Sequence, residues 1–173
     1  MNRIVLPIHK DGALVAYLLR AVGKDSPKYI AKYKGDKNVC FHAECTKRGQ
    51  SYDLVVVEDI LSAIRVAYCN TARSILGTAS SIEVVMPLLE GLPKLPKIAV
   101  WLDPDNAGKK GRFDLARQLR LLGAEVTVIV TDKDPKYYAN DEIKEILGYV
   151  GPSPTEVDAK QKDVLAAILS DTG

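Results

Sequence analysis

The sequence predicts an α/β protein, a parallel sheet flanked by helices and preceded by a small basic antiparallel β part. Three observations carry this. Short apolar runs at 54–57, 98–102 and 126–130 alternate with helix-length stretches, which implies parallel strands joined by right-handed crossovers. An Asp11-Gly12 turn between two apolar runs reads instead as a hairpin. Charge is unevenly spread, with ten Lys/Arg against four Asp/Glu in residues 1–50 and fourteen against eighteen in the remainder.

At 173 residues the chain is long enough for one well-buried domain. Its fractions, 47% hydrophobic and 27% charged, are those of an ordinary globule. No apolar run approaches a membrane span, and the N-terminus lacks the apolar core of a secretory signal. Three cysteines, an odd number, argue against a disulfide framework and fit a reducing cytoplasm.

In chain order, residues 3–9 read as a strand and 13–22 as its return. Residues 24–50 are rich in Lys, Gly and Tyr with little periodicity. Cys40 and Cys45 with His42 invite a zinc reading, but no second ligand pair follows, so Cys40, Cys45 and Cys69 read as small apolar residues. A buried strand at 54–57 leads into a helix over 60–69, with Leu61, Ile64 and Tyr68 on one side. Residues 74–76 form the next short strand. A helix capped by Ser80 or Ser81 runs through 89, and 91–96 connect. Strand 98–102 precedes a helix that reaches about 122 and stops at Gly123. Strand 126–130, a short helix at 141–147, and a Pro/Ser/Gly connector over 151–154 follow. Ser153 and Glu156 then resemble a capping box for a last helix carrying Val157, Val164, Leu165 and Ile168. The expected units are 1–51, 52–150 and 151–173.

Three of the strands end in acids: Glu58, Asp103 with Asp105, and Asp132 with Asp134. In a parallel sheet, ligands collect beyond the C-terminal strand ends. One acid there usually caps a helix, but three pairs or singles at one edge point to a cation site. Carboxylates at i and i+2 on extended backbone face the same way and suit Mg²⁺, a hard cation that takes oxygen ligands. Crowded carboxylates should also hold protons more readily than free ones.

These residues resemble the TOPRIM domain, as found in the catalytic core of bacterial replicative primases and phage primase–helicases. The first signature is similar to Val55-Val56-Val57-Glu58-Asp59-Ile60-Leu61-Ser62, the second is Asp103-Pro104-Asp105-Asn106-Ala107-Gly108, and Leu76-Gly77-Thr78 and Lys133-Asp134-Pro135 also match. Leu6-Pro7-Ile8, the hairpin, and Ser26-Pro27-Lys28-Tyr29 resemble the basic subdomain that precedes TOPRIM there, so the likeness covers about residues 3–147. Two positions depart: Asp59 stands for a glycine and Ser62 for an aspartate. The second removes one acid near the metals, and Asp59, on a helix, need not face the same way.

The resemblance implies a Rossmann-type TOPRIM sheet and metal-dependent nucleotidyl transfer, the synthesis of short RNA primers on single-stranded DNA from nucleoside triphosphates. Glu58, Asp103, Asp105, Asp132 and Asp134 are the expected Mg²⁺ or Mn²⁺ ligands, with Glu58 either a proton carrier or a plain ligand. Lys109, Lys110 and Arg112 are candidates for phosphate, and Arg20, Lys28, Tyr29, Lys32 and Lys34 for the template. The final helix either docks on the domain or tethers a partner such as a replicative helicase. No phosphate loop of a helicase motor and no zinc ribbon occur, which fits a stand-alone core or a detached module in a cytoplasm, the host's if phage-encoded. A TOPRIM-type nuclease and a non-catalytic single-stranded-DNA-binding module are the alternatives.

Overall fold

The computed structural model describes residues 2–24, 26–35, 37–77 and 82–149. The expected connector and last helix, 151–173, lie outside the described residues, as do the caps at Ser80 and Ser81.

Strands β1 (Arg3–Lys10) and β2 (Ala13–Ala21) form the hairpin, turning at Asp11 and Gly12 with φ of 51° and 77°. A third strand, β3 (Tyr29–Tyr33), pairs antiparallel with β2 and completes a three-stranded sheet. The sequence reading treats this stretch as irregular. Its alternation is hidden because lysines flank it and fill the exposed position 32, while Tyr29 and Tyr33 turn to the core.

Next come β4 (Phe41–Ala43), β5 (Leu54–Val57), α1 (Ile60–Val66), β6 (Ala72–Ser74), α2 (Ile82–Leu89), β7 (Lys97–Trp101), α3 (Asn106–Leu121), β8 (Glu125–Val128) and α4 (Asn140–Leu147). The second sheet has the order β4-β6-β5-β7-β8, parallel except for β4, which pairs antiparallel with β6. Residues expected in the basic N-terminal unit thus supply the edge strand of the larger sheet.

All four residues of β5 are fully buried, as a central parallel strand covered on both faces requires. Successive residues face opposite layers. Leu54, Val56, Ile98 and Val100 share a core with Val85 and Leu88 of α2 and Leu115 and Leu119 of α3. Val55, Val57, Ala99 and Trp101 share the other with Ala63 and Val66 of α1 and Ile143 and Leu147 of α4. Ile8, Ala16 and Leu18 of the small sheet pack on Ile60, joining the two sheets at the start of α1.

Three of the expected elements are also displaced. Strand β6 lies two residues earlier because Arg73 occupies its middle. That buried side chain donates to the Pro87 and Leu88 carbonyls at the end of α2, a C-terminal cap supplied from the sheet. Helix α1 ends at Val66 and buries Ile60, Ala63 and Val66, so Leu61, Ile64 and Tyr68 are not its core face. They line a groove instead. Strand β8 ends at Val128, with Ile129 still hydrogen-bonded to the Val100 carbonyl.

From β5 the chain crosses to β6 on one side and then to β7 on the other. The gap between β5 and β7 is therefore the topological switch point, where a ligand crevice forms at the strand ends. Among the described residues, no helix is long and apolar enough to cross a membrane.

Candidate active site

Glu58 leaves the end of β5 and Asp103 follows β7 by two residues, so both flank the switch point; Val57 and Trp101, the last residues of the two strands, are ladder partners. Oε2 of Glu58 and Oδ1 of Asp103 are buried and have no hydrogen-bond partner. Burial first, then the charges of Asp103, Asp105 and Asp59, push Glu58 up to about 7. Burial, with Asp134 and Asp59 adding and Lys136 opposing, pushes Asp103 up to about 6. Asp105 is exposed and caps α3, its Oδ1 accepting from the Gly108 amide at 2.7 Å. Its charge still reaches Glu58.

The loop after β8 brings Asp134 into the cluster. Asp132 turns away: it is exposed, accepts from the Tyr138 hydroxyl at 2.5 Å, and is held below the usual carboxylate range by that bond. Tyr138 packs on Trp101, with ring centroids 5.7 Å apart, and its carbonyl accepts from Arg65 Nε. Asp132, expected among the metal ligands, here fixes the loop through its bond to Tyr138.

Two members of the cluster were not expected there. Asp59 caps α1, with Oδ1 accepting from the amides of Leu61 (2.8 Å) and Ser62 (3.1 Å), and its Oδ2 accepts from the Ser62 hydroxyl at 3.1 Å. The same Oδ2 lies 2.7 Å from Nζ of Lys136. Lys136, on the 3-10 turn Pro135–Tyr137, also lies 2.5 Å from Asp134 and 3.7 Å from Asp103. Its side chain is only 9% exposed. Burial works against the charges of both Asp59 and Lys136. The bonds to Lys136 and Ser62 nonetheless hold Asp59 below its ordinary range, and those to Asp134 and Asp59 hold Lys136 above its own. Lys136 was hidden in the sequence because nothing local marks a lysine after Asp-Pro as turned inward.

Oxygen donors with buried, unpartnered atoms suit a hard divalent cation, and Glu58 and Asp103 supply two. The expected set of five does not assemble: among the described residues no three Asp, Glu, His or Cys side chains are grouped to hold one ion. Lys136 stands between three of the acids, Asp105 gives one of its oxygens to a helix cap, and Asp132 bonds to Tyr138.

Gly108 explains part of the second signature. A Cβ there would lie 2.1 Å from the Asp103 carbonyl oxygen, so only glycine lets the start of α3 close on the acid-bearing loop. Arg112, one turn later, is 2% exposed and donates to the carbonyls of Asp103 (2.9 Å) and Gly108 (3.2 Å). Arg112, expected among the phosphate-binding candidates, here braces that loop from inside. Lys109 and Lys110 are exposed in the first turn of α3.

On the small sheet, Arg20 and Tyr29 are ladder partners, and the Arg20 guanidinium lies 5.9 Å from the ring centre. Lys28 approaches the same ring at 5.8 Å. Lys32 and Lys34 are exposed on the same edge. The Tyr29 hydroxyl is buried without a partner, and burial, then the Asp59 charge, raises its pKa. This residue therefore lies within reach of the Asp59 charge. Arg20, Leu61, Ile64, Arg65, Tyr68 and Tyr137 line a groove of about 810 Å³ that opens beside Lys136.

No family model matches this sequence, and no curated protein matches it. Solved structures do. The Aquifex aeolicus primase (zinc-binding and RNA polymerase domains) is similar with a TM-score of 0.67 at 24% identity, over 84% of this chain and 40% of that one. A DNA primase domain from Pseudomonas aeruginosa gives 0.59 at 21% identity over 92% and 54%, respectively. The primase fragment of the bacteriophage T7 primase–helicase protein gives 0.58 at 16% identity over 83% and 60%. The chain thus spans 40% to 60% of the length of these proteins. A parallel sheet flanked by helices, with a small antiparallel sheet packed on α1, gives this chain, by these likenesses, the fold of a primase catalytic core.

Proposed function

We propose that this chain carries out primase-type nucleotidyl transfer, joining nucleoside triphosphates into short RNA primers on a single-stranded DNA template. The observation that carries the reading is the pair of buried, unpartnered carboxylate oxygens of Glu58 and Asp103 at the switch point, beside a basic sheet in this fold. Glu58 and Asp103, with Asp105 at the rim, would hold Mg²⁺ or Mn²⁺. When bound, such an ion would supply charge neutralisation for the triphosphate and for the attacking and leaving oxygens.

The chain's own residues do the rest. Glu58, at the switch point with a buried oxygen that has no partner, would be either a plain ligand of that ion or the group that accepts the proton of an attacking 3′-hydroxyl. Lys109 and Lys110, at the N-terminus of α3, would grip triphosphate oxygens. Arg20, Lys28, Lys32 and Lys34 would neutralise template phosphates, and Tyr29 holds Arg20 and Lys28 over its ring. A helicase partner, reached through 151–173, follows by analogy with the T7 protein's printed name.

A second reading, a non-catalytic DNA-binding module, is favoured by Lys136, which already neutralises much of the acidic cluster. Primer synthesis on single-stranded DNA with nucleotides and Mg²⁺ or Mn²⁺ separates the two. The expected outcome is metal-dependent RNA of a few to tens of nucleotides, about 10²-fold or more reduced in Asp103→Ala/Asp105→Ala. Binding without product supports the module, and degraded template supports a nuclease.

A further inference from the structure

Lys136 is the one cation at the heart of the acidic cluster among the described residues, and it is seated as an ion would be. Its Nζ lies 2.5 Å from Asp134 Oδ2, 2.7 Å from Asp59 Oδ2 and 3.7 Å from Asp103 Oδ2. The side chain is 9% exposed and the three acids 17% to 22%. We propose that the Lys136 ammonium takes the place of one divalent cation in this cluster, so that the chain binds at most one metal ion, on the Glu58–Asp103 side.

The geometry excludes sharing. Mg²⁺ needs its oxygens at roughly 2.1 Å in a near-octahedral shell. An ion coordinated by Asp59 and Asp134 would therefore fall where Nζ stands, and two cations cannot occupy one position. The oxygens divide accordingly. Those aimed at Lys136 belong to Asp59, Asp134 and one side of Asp103. The buried oxygens without partners, Glu58 Oε2 and Asp103 Oδ1, are the ones Lys136 does not serve. Asp59 is set in place independently by capping α1, and Pro135 begins the turn that points Lys136 back at Asp134. The ammonium differs from a metal in one consequential way. It supplies a fixed positive charge and hydrogen bonds but neither opens a coordination position nor activates a bound water. Charge neutralisation on that side is thereby built into the chain, and ion-dependent chemistry is confined to the other.

The inference rests on the cluster being a cation site and not on primer synthesis, and its test needs neither nucleotide nor template. Mn²⁺ bound to the full chain is counted by paramagnetic resonance titration, for wild type, Lys136→Met and Lys136→Arg. Wild type and Lys136→Arg should bind no more than a single ion, and Lys136→Met should bind one more. The thermal midpoint of Lys136→Met should fall in chelator and recover on adding Mn²⁺ by more than that of wild type. A second ion in wild type, or a folded Lys136→Met that binds no more than wild type, overturns the proposal. Should Lys136→Met fail to fold, the wild-type count decides: a second ion overturns the proposal and its absence upholds it.

Discussion

Glu58 is the residue whose titration the fold changes most usefully. In the unfolded chain it releases its proton near 4.5, and in the folded one at about 7; Asp103 moves the same way, from 3.8 to about 6. The folded state therefore binds more protons across this window, so stability falls as pH rises from about 4 to about 7. Without metal, the thermal midpoint should decline over that range. Glu58→Gln should flatten the decline, and Mg²⁺ at pH 7.5 should reverse it, which calorimetry with and without chelator reads. Asp59 has the opposite sign: its lowered pKa contributes stability above the unfolded value near 3.8, lost as pH falls through the folded one. Both acids were plain in the sequence, but only Glu58 was legible as part of the site. Whether an acid one residue into a helix cap faces a cluster depends on the cation opposite, and Lys136 sits 77 residues away in the chain.

The element that sets the acid-bearing loop is the start of α3. Its requirement for Gly108 was visible as a motif, yet the reason is spatial, a helix pressed against the Asp103 carbonyl. Gly108→Ala should force α3 away from β7, lowering stability by about 1–3 kcal/mol in urea unfolding and reducing primer synthesis more than the loss of folded protein explains. Arg112 shows the limit of pattern reading. A basic residue near a helix start looks like an anion ligand, and only the observed burial shows its donors committed to backbone carbonyls. Strand β6 was misplaced for a related reason. A buried arginine interrupts the apolar pattern in exchange for capping α2 from across the layer, and propensity sees only the interruption.

For the molecule as a whole, the α/β class and a parallel sheet joined through helices were legible because apolar runs and breaking residues alternate from Tyr52 onward, Arg73 being an interruption. The small sheet was half legible, as its hairpin has a turn signal and β3 has none. Its chemical meaning is electrostatic. If Lys32 and Lys34 each neutralise a template phosphate, Lys32→Ala/Lys34→Ala should weaken single-stranded DNA binding and reduce the log–log salt slope by about 1.4, roughly 0.7 per phosphate, measured by fluorescence anisotropy at several salt concentrations. An unchanged slope would place the template elsewhere.

The pairing of Val57 with Trp101 has a further bearing on how such a protein tolerates change. Because the acids follow adjacent strands, the strand ends that carry them lie one interstrand repeat of about 4.8 Å apart, a dimension shared by every sheet. The peripheral turns, such as 91–96 at the opposite rim, lie outside that ruler. They can lengthen, shorten or acquire new partners over evolutionary time while the spacing of the two strand ends stays the same.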